Sequence, residues 1–207
     1  MYLIIDNTKN LDKAYMTPLL IKILNKLFIH YLVLSEVSDV DEVICNTHQY
    51  NIEGIIISGG PLCLSKDSIS DTNKNLLVLN HFKDTPILGI CFGFQVMSYF
   101  YGSSIEQMLN EKKNLYKIKL INTEKSQLFK NITNNKLIVF QSHKDFVKYC
   151  PKDFIITSID PNDNVIQAIE STKLNRYGVQ FHPEGLKHSE IVIKNFINIC
   201  RLNKYKT

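Results

Sequence analysis

The sequence predicts an α/β fold, a doubly wound and mostly parallel central sheet with an added antiparallel portion, and three observations carry that prediction. Residues 2–5, 31–34, 55–57 and 87–90 are short, continuous apolar runs of the kind that strands buried on both faces show. Segments with helical spacing of apolar residues stand between them, so β and α elements alternate through about residue 102. Beyond that point strand-like runs follow one another with little helix between, which is the pattern of antiparallel neighbours.

Taken in order, the first strand ends at Asp6-Asn7, and Thr17-Pro18 supplies an N-cap and a first helical position. Leu19, Leu20, Ile23, Leu24, Leu27 and Phe28 then recur at helical spacing before the second strand. A helix is expected over 73–82, between the third and fourth strands, and the turn after the fourth strand lies at a carboxyl end, where doubly wound folds place their sites. In the second half, residues 115–121, 137–140, 154–159, 165–169 and 177–181 read as strands. Ser189 opens a final helix whose Ile193, Phe196, Ile197 and Cys200 form one face.

Composition narrows the classes. With 207 residues the chain has room for one full core but not comfortably for two, so residues 1–207 are expected to form a single domain. The net charge of +4 comes from scattered rather than clustered lysines, which gives no footprint for nucleic acid. The five cysteines are odd in number, widely spaced and without a CxxC pair, which argues against a disulfide framework and a zinc site and for a reducing compartment. No cationic-then-apolar leader precedes Tyr2, and no apolar run approaches the ~20 residues that cross a bilayer. A soluble, cytoplasmic protein is expected.

The chemistry concentrates in two runs, GICFGFQ from Gly89 to Gln95 and YGVQFHPEG from Tyr177 to Gly185. A cysteine on a glycine-flanked turn between a strand and a helix exposes its sulfur at a helix N-terminus, which favours the thiolate. A free cysteine thiol is only ~3% ionised at neutral pH, so Cys91 needs a base, and His182 is the candidate. Glu184, on the same side of an extended chain, would then orient the imidazole and stabilise its cation, with Pro183 stiffening the segment. Taken singly, each of these residues has an ordinary structural reading; the combined pattern favours the catalytic one.

These motifs resemble those of the class I, triad-type glutamine amidotransferases, and the strand followed by Ser58-Gly59-Gly60-Pro61 resembles that family's oxyanion loop. The resemblance implies a flavodoxin-like fold, a Cys91/His182/Glu184 triad, and an oxyanion hole made by the backbone N–H of Gly60, or of Gly59, together with that of Phe92. It also implies that Gln95 helps form the glutamine pocket. The loop lacks both the GK[ST] of a phosphate-binding loop and the Asp-Ser of an ATP-pyrophosphatase loop. The loop therefore offers no site for adenylating a substrate, and the resemblance implies no metal or organic cofactor in this chain.

The segment Gln141-Ser142-His143-Lys144-Asp145, taken as a polar stretch following a strand, resembles the corresponding region of GMP synthetase amidotransferase units. The resemblance places Ser142 and His143 beside the glutamine site and links Asp145 with coupling to the synthetase. It implies a free-standing glutaminase subunit whose partner, an ATP-pyrophosphatase, uses ATP and Mg to activate xanthosine 5′-phosphate. Departures from the family pattern are Gly185 after HPE, Ser103 after Gly102, a long 61–71 loop, and Asp6-Asn7-Thr8-Lys9 where a glycine-glutamine is usual. Glutaminase subunits of anthranilate or aminodeoxychorismate synthase, a partner-independent γ-glutamyl peptide hydrolase and a non-catalytic regulator are the other readings.

Overall fold

In a computed structural model of the chain, residues 1–8, 16–66 and 73–204 are described. Strands β1 (Tyr2–Ile5), β2 (Tyr31–Leu34), β3 (Gly54–Ile57) and β4 (Ile87–Ile90) alternate with helices α1 (Met16–Lys26), α2 (Val37–Cys45) and α3 (Asn73–His81). Helix α4 (Phe92–Phe100) follows β4 after a single residue. Then come β5 (Ile105–Leu120), β6 (Lys136–Val147), β7 (Ile155–Ile159), β8 (Ile166–Ser171), β9 (Arg176–Val179) and α5 (Ile191–Asn203). All nine strands join one sheet in the order β2-β1-β3-β4-β9-β8-β7-β5-β6.

Side chains of successive strand residues point to opposite faces, so each short parallel strand feeds two cores. Tyr2 and Ile4 pack with Ile56, Leu88 and Ile90 against α1 and α5, where the expected Ile193, Phe196, Ile197 and Cys200 are all buried. Leu3 and Ile5 pack with Ile55, Ile57 and Ile87 on the other face, against Val40 and Val43 of α2, Val78 of α3 and Phe94 of α4. Helices cover both faces, and the predicted doubly wound fold is the one observed.

Several expectations need correction. Phe28 is not on the buried face of α1: the helix ends at Lys26, and Phe28 adopts φ 54° and is 91% exposed. Thr17 lies within α1, and its hydroxyl donates to Asp6 Oδ1 at 2.7 Å. Helix α2 was not foreseen, because only Val40 and Val43 are buried in it. The 142–145 segment does not follow a strand but lies inside β6, which pairs with β5 over most of its length. Strand β9 is antiparallel to β8 but parallel to β4, so it closes the parallel half as well as the antiparallel one. Part of the long 61–71 loop, and Lys9, fall outside the described residues.

The adjacent parallel strands β1, β3, β4 and β9 end side by side. Their carboxyl ends deliver Asn7, the Ser58-Gly59-Gly60 loop, Cys91 and the 180–184 segment to one rim of the sheet.

Candidate active site

Strand β4 ends at Ile90 and the chain turns sharply. Cys91 adopts φ 50° and ψ −106°, a conformation costly to any residue that carries a Cβ. Its N–H donates to Val179 O at 2.8 Å, and its carbonyl accepts the N–H of Gln95 at 3.0 Å. The turn is thus fixed by β9 on one side and by the first turn of α4 on the other. The helix comes this close because position 93 is glycine, where a Cβ would lie 2.2 Å from Ile57 O. The Cys91 sulfur stands at the N-terminal end of α4, where the helix dipole favours negative charge.

The register of β4 with β9 pairs Ile90 with Val179, so the residues that follow pass beside Cys91. His182 donates its N–H to Phe140 O at 2.9 Å, a bridge that ties this segment to β6. The chain does not stay extended through Glu184 as the sequence reading supposed. Pro183–Gly185 forms a 3-10 turn, closed by Gly185 N–H on His182 O (3.1 Å) and held by the Ser189 hydroxyl donating to Pro183 O (2.9 Å). A proline at the start of such a turn is preset in φ. The turn still brings Glu184 Oε1 to 2.9 Å from His182 Nδ1.

Burial pulls the His182 imidazole down, but the neighbouring Cys91 sulfur and the Glu184 carboxylate, the latter hydrogen-bonded to it, outweigh that and raise it to about 10. With 5% exposure of His182 the two attractions are little screened. The ring holds its proton at neutral pH, and an imidazolium beside a sulfur is the arrangement that sustains a nucleophilic thiolate.

Gln180 was not singled out from the sequence, yet it completes the contact. It lies in the bend that follows β9, two residues before His182, and its Nε2 donates to Cys91 Sγ at 3.8 Å. Its Oε1 accepts from Gln95 Nε2 (3.2 Å), which also donates to Asp145 O (2.8 Å). Gln95 therefore lies at the site with its amide nitrogen already committed. Asn7 is the other residue the sequence reading left without a role: its N–H donates to Ser58 Oγ and its amide to Ser58 O, each at 3.0 Å.

Gly60, Cys91, Phe92, Gln95, Ser142 and His143 border one cavity of about 320 Å³. Gly59 is not among the residues that border it but packs on the catalytic candidates, since a Cβ there would lie 2.8 Å from His182 Cε1 and 3.6 Å from Cys91 Cβ. Ser142 contributes its carbonyl, 3.7 Å from Cys91 Sγ. The His143 ring is occupied within the chain, its two nitrogens each 2.9 Å from a partner, Asp145 O for Nδ1 and the Gln141 side-chain amide for Nε2. Burial lowers it to about 4, so it is neutral at pH 7. The Asp145 carboxylate faces inward, accepting from Ser65 N (2.9 Å) and Ser65 Oγ (2.7 Å). Among the described residues no group of His, Cys, Asp and Glu is placed to hold a metal ion, and no helix is long and apolar enough to cross a membrane.

The family model described as Glutamine amidotransferase class-I matches residues 11–199. The chain belongs to the class-I glutamine amidotransferases. This amidotransferase chain is 38% identical over 174 residues to the glutamine-hydrolysing GMP synthase of Petrotoga mobilis, covering 82% of the chain and 32% of that protein. It is 34% identical over 154 residues to one subunit of the glutamine-hydrolysing GMP synthase of Pyrococcus abyssi, covering 72% of the chain and 77% of that subunit. The chain thus spans about a third of the length of the first of these relatives. In fold it superposes on a protein assigned as a GMP synthase subunit from Thermoplasma acidophilum, with a TM-score of 0.80 at 20% identity over 99% of the chain and 95% of that protein.

Proposed function

We propose that the chain hydrolyses glutamine to glutamate and ammonia through a Cys91 thioester and passes the ammonia to a synthetase that forms GMP from xanthosine 5′-phosphate. The observation that carries this reading is His182, hydrogen-bonded to Glu184 and electrostatically coupled to Cys91, beside the N-terminus of α4. The Cys91 thiolate attacks the side-chain amide carbon, and the resulting oxyanion is met by the backbone N–H groups of Gly60 and Phe92. His182 gives its proton to the departing ammonia. Water then attacks the γ-glutamyl thioester with His182 as base, the sulfur leaves as thiolate and glutamate is released. Glu184 holds the ring in the working tautomer throughout.

Gln180 and Gln95 link the nucleophile to the wall formed by β6, where Ser142 and His143 would border bound glutamine. Asp145, whose carboxylate is taken up by Ser65, would act on a docked partner indirectly, by holding the segment after Pro61. The similarity to GMP synthases supports the choice of acceptor; ATP and Mg would be used by the partner chain.

Ammonia release from glutamine tests the reading, measured for wild type and Cys91→Ala with and without a GMP synthetase ATP-pyrophosphatase subunit, ATP and xanthosine 5′-phosphate. Release that falls at least roughly 1,000-fold in Cys91→Ala and rises with the partner is expected. Release indifferent to the partner would discard the acceptor, and release unchanged in Cys91→Ala would discard the mechanism.

A further inference from the structure

A chain of hydrogen bonds runs from α3 to a single peptide group beside the nucleophile. Asn75, fully buried on α3, donates its amide to Asn7 Oδ1 at 2.9 Å. Asn7 brackets the end of β3 by donating from its backbone to Ser58 Oγ and from its side chain to Ser58 O, both at 3.0 Å. Ser58 Oγ, having accepted, donates its one proton to Gly59 O at 2.8 Å. Ser58 is 4% exposed, so water does not compete for that proton.

The carbonyl of Gly59 and the N–H of Gly60 belong to the same peptide. In a trans peptide they point in opposite directions, and the chain has no cis peptide among its described residues. Fixing one therefore fixes the other. Gly60 borders the Cys91 cavity, and on its far side a Cβ would lie 2.8 Å from Asn7 Cβ and Asn7 O, so Asn7 forms the backing of the loop. A peptide between two glycines has little intrinsic preference for either orientation. Turned the other way, it would aim a carbonyl oxygen, not an N–H, at the place where negative charge develops.

We infer that Ser58, backed by Asn7, is a positioning residue that holds the Gly59–Gly60 peptide with its N–H toward the Cys91 cavity, so that the oxyanion donor is in place before glutamine arrives. The inference rests on the glutaminase reading. Ser58 touches neither substrate nor sulfur; it acts through the peptide.

The test compares wild type with Ser58→Ala in steady-state glutamine hydrolysis, measured with the synthetase partner, and in the rate of Cys91 alkylation by iodoacetamide. Alkylation displaces iodide at a saturated carbon and builds no oxyanion, so it reports the thiolate alone. Ser58→Ala should lower kcat by about 10- to 100-fold, somewhat less than outright removal of a donor, while KM and the alkylation rate stay within about 3-fold. Ser58→Cys keeps the volume with a weaker donor and should lose roughly 3- to 30-fold in kcat at unchanged KM, which carries the test if Ser58→Ala fails to accumulate. Either variant at wild-type kcat overturns the inference, as does alkylation falling in step with kcat, which would mean general disruption of the site. A wild-type chain inactive with and without the partner overturns the glutaminase reading and this inference together, whereas an active wild type equalled by Ser58→Ala overturns the peptide lock alone.

Discussion

At the scale of single residues, Cys91 stores strain at the candidate site. Its φ of 50° and ψ of −106° suit glycine better than any residue with a Cβ. Of two variants that both lack the sulfur, Cys91→Gly should be more stable than Cys91→Ala by about 1 kcal/mol, the relief of strain exceeding the extra chain entropy of glycine. Urea denaturation midpoints check this; equal stability, or the reverse order, would show that the turn is unstrained. The grouping of Cys91, His182 and Glu184 was legible in the sequence because residue type and spacing alone suggested it. Gln180 and Asn7 were not. A glutamine or asparagine at a strand end has many uses, and which one applies depends on the neighbouring strands, here β4 beside β9 and β1 beside β3.

At the scale of elements, the short parallel strands were easy to read because burial on both faces leaves an unbroken apolar run. Strand β6 shows where that legibility stops. Its inward positions are Leu137, Val139, Gln141, His143, Asp145 and Val147, a perfect alternation of burial in which three consecutive inward residues are polar. Hydrophobic periodicity therefore ended the strand at residue 140, just where the fold starts to build the site. Helix α2 was missed for a related reason: two buried valines make a weak stripe, and its start is marked by a reciprocal cap between Glu36 and Asp39. The junction of α3, β4, α4 and β9 depends on Arg176, 1% exposed, which donates to Tyr101 Oη (2.8 Å), Thr85 O (2.8 Å) and Phe82 O (2.6 Å). Lysine cannot reproduce that fork, so Arg176→Lys should cost about 2–4 kcal/mol in unfolding free energy. A thermal or urea midpoint unchanged by this substitution would count against the clamp.

For the molecule as a whole, two buried histidines set opposite limits on pH. His143 is lowered from 6.5 to about 4, chiefly by burial, so as pH falls through that window the unfolded chain takes up a proton that the folded one refuses, and stability is lost. His182 is raised from 6.5 to about 10, so its contribution is complete below 6.5 and is lost as pH rises toward 10. The contribution of this pair to stability is greatest near 6.5, and each limb should amount to on the order of 1–3 kcal/mol. Unfolding free energy measured against pH checks it. His143→Gln should flatten the acid limb, and Cys91→Ala, which removes one of the two groups that raise His182, should reduce the alkaline slope. A wild-type stability that keeps rising between roughly pH 7 and 9 would contradict the His182 assignment.

Strand β9 comes last in the sequence of strands yet lies in the middle of the sheet, between β4 and β8. Cys91 is thus synthesised 89 residues ahead of Gln180, the first of its side-chain partners from the far end of the chain, and meets that partner only when this gap in the sheet is filled. A chain still emerging from the ribosome, or one arrested with β4 and β8 unjoined, holds Cys91 without Gln180, His182 or Glu184 beside it. The sulfur acquires these neighbours in one step, at the closing of the sheet, and labelling of that thiol over time during refolding would read out when the centre of the molecule is complete.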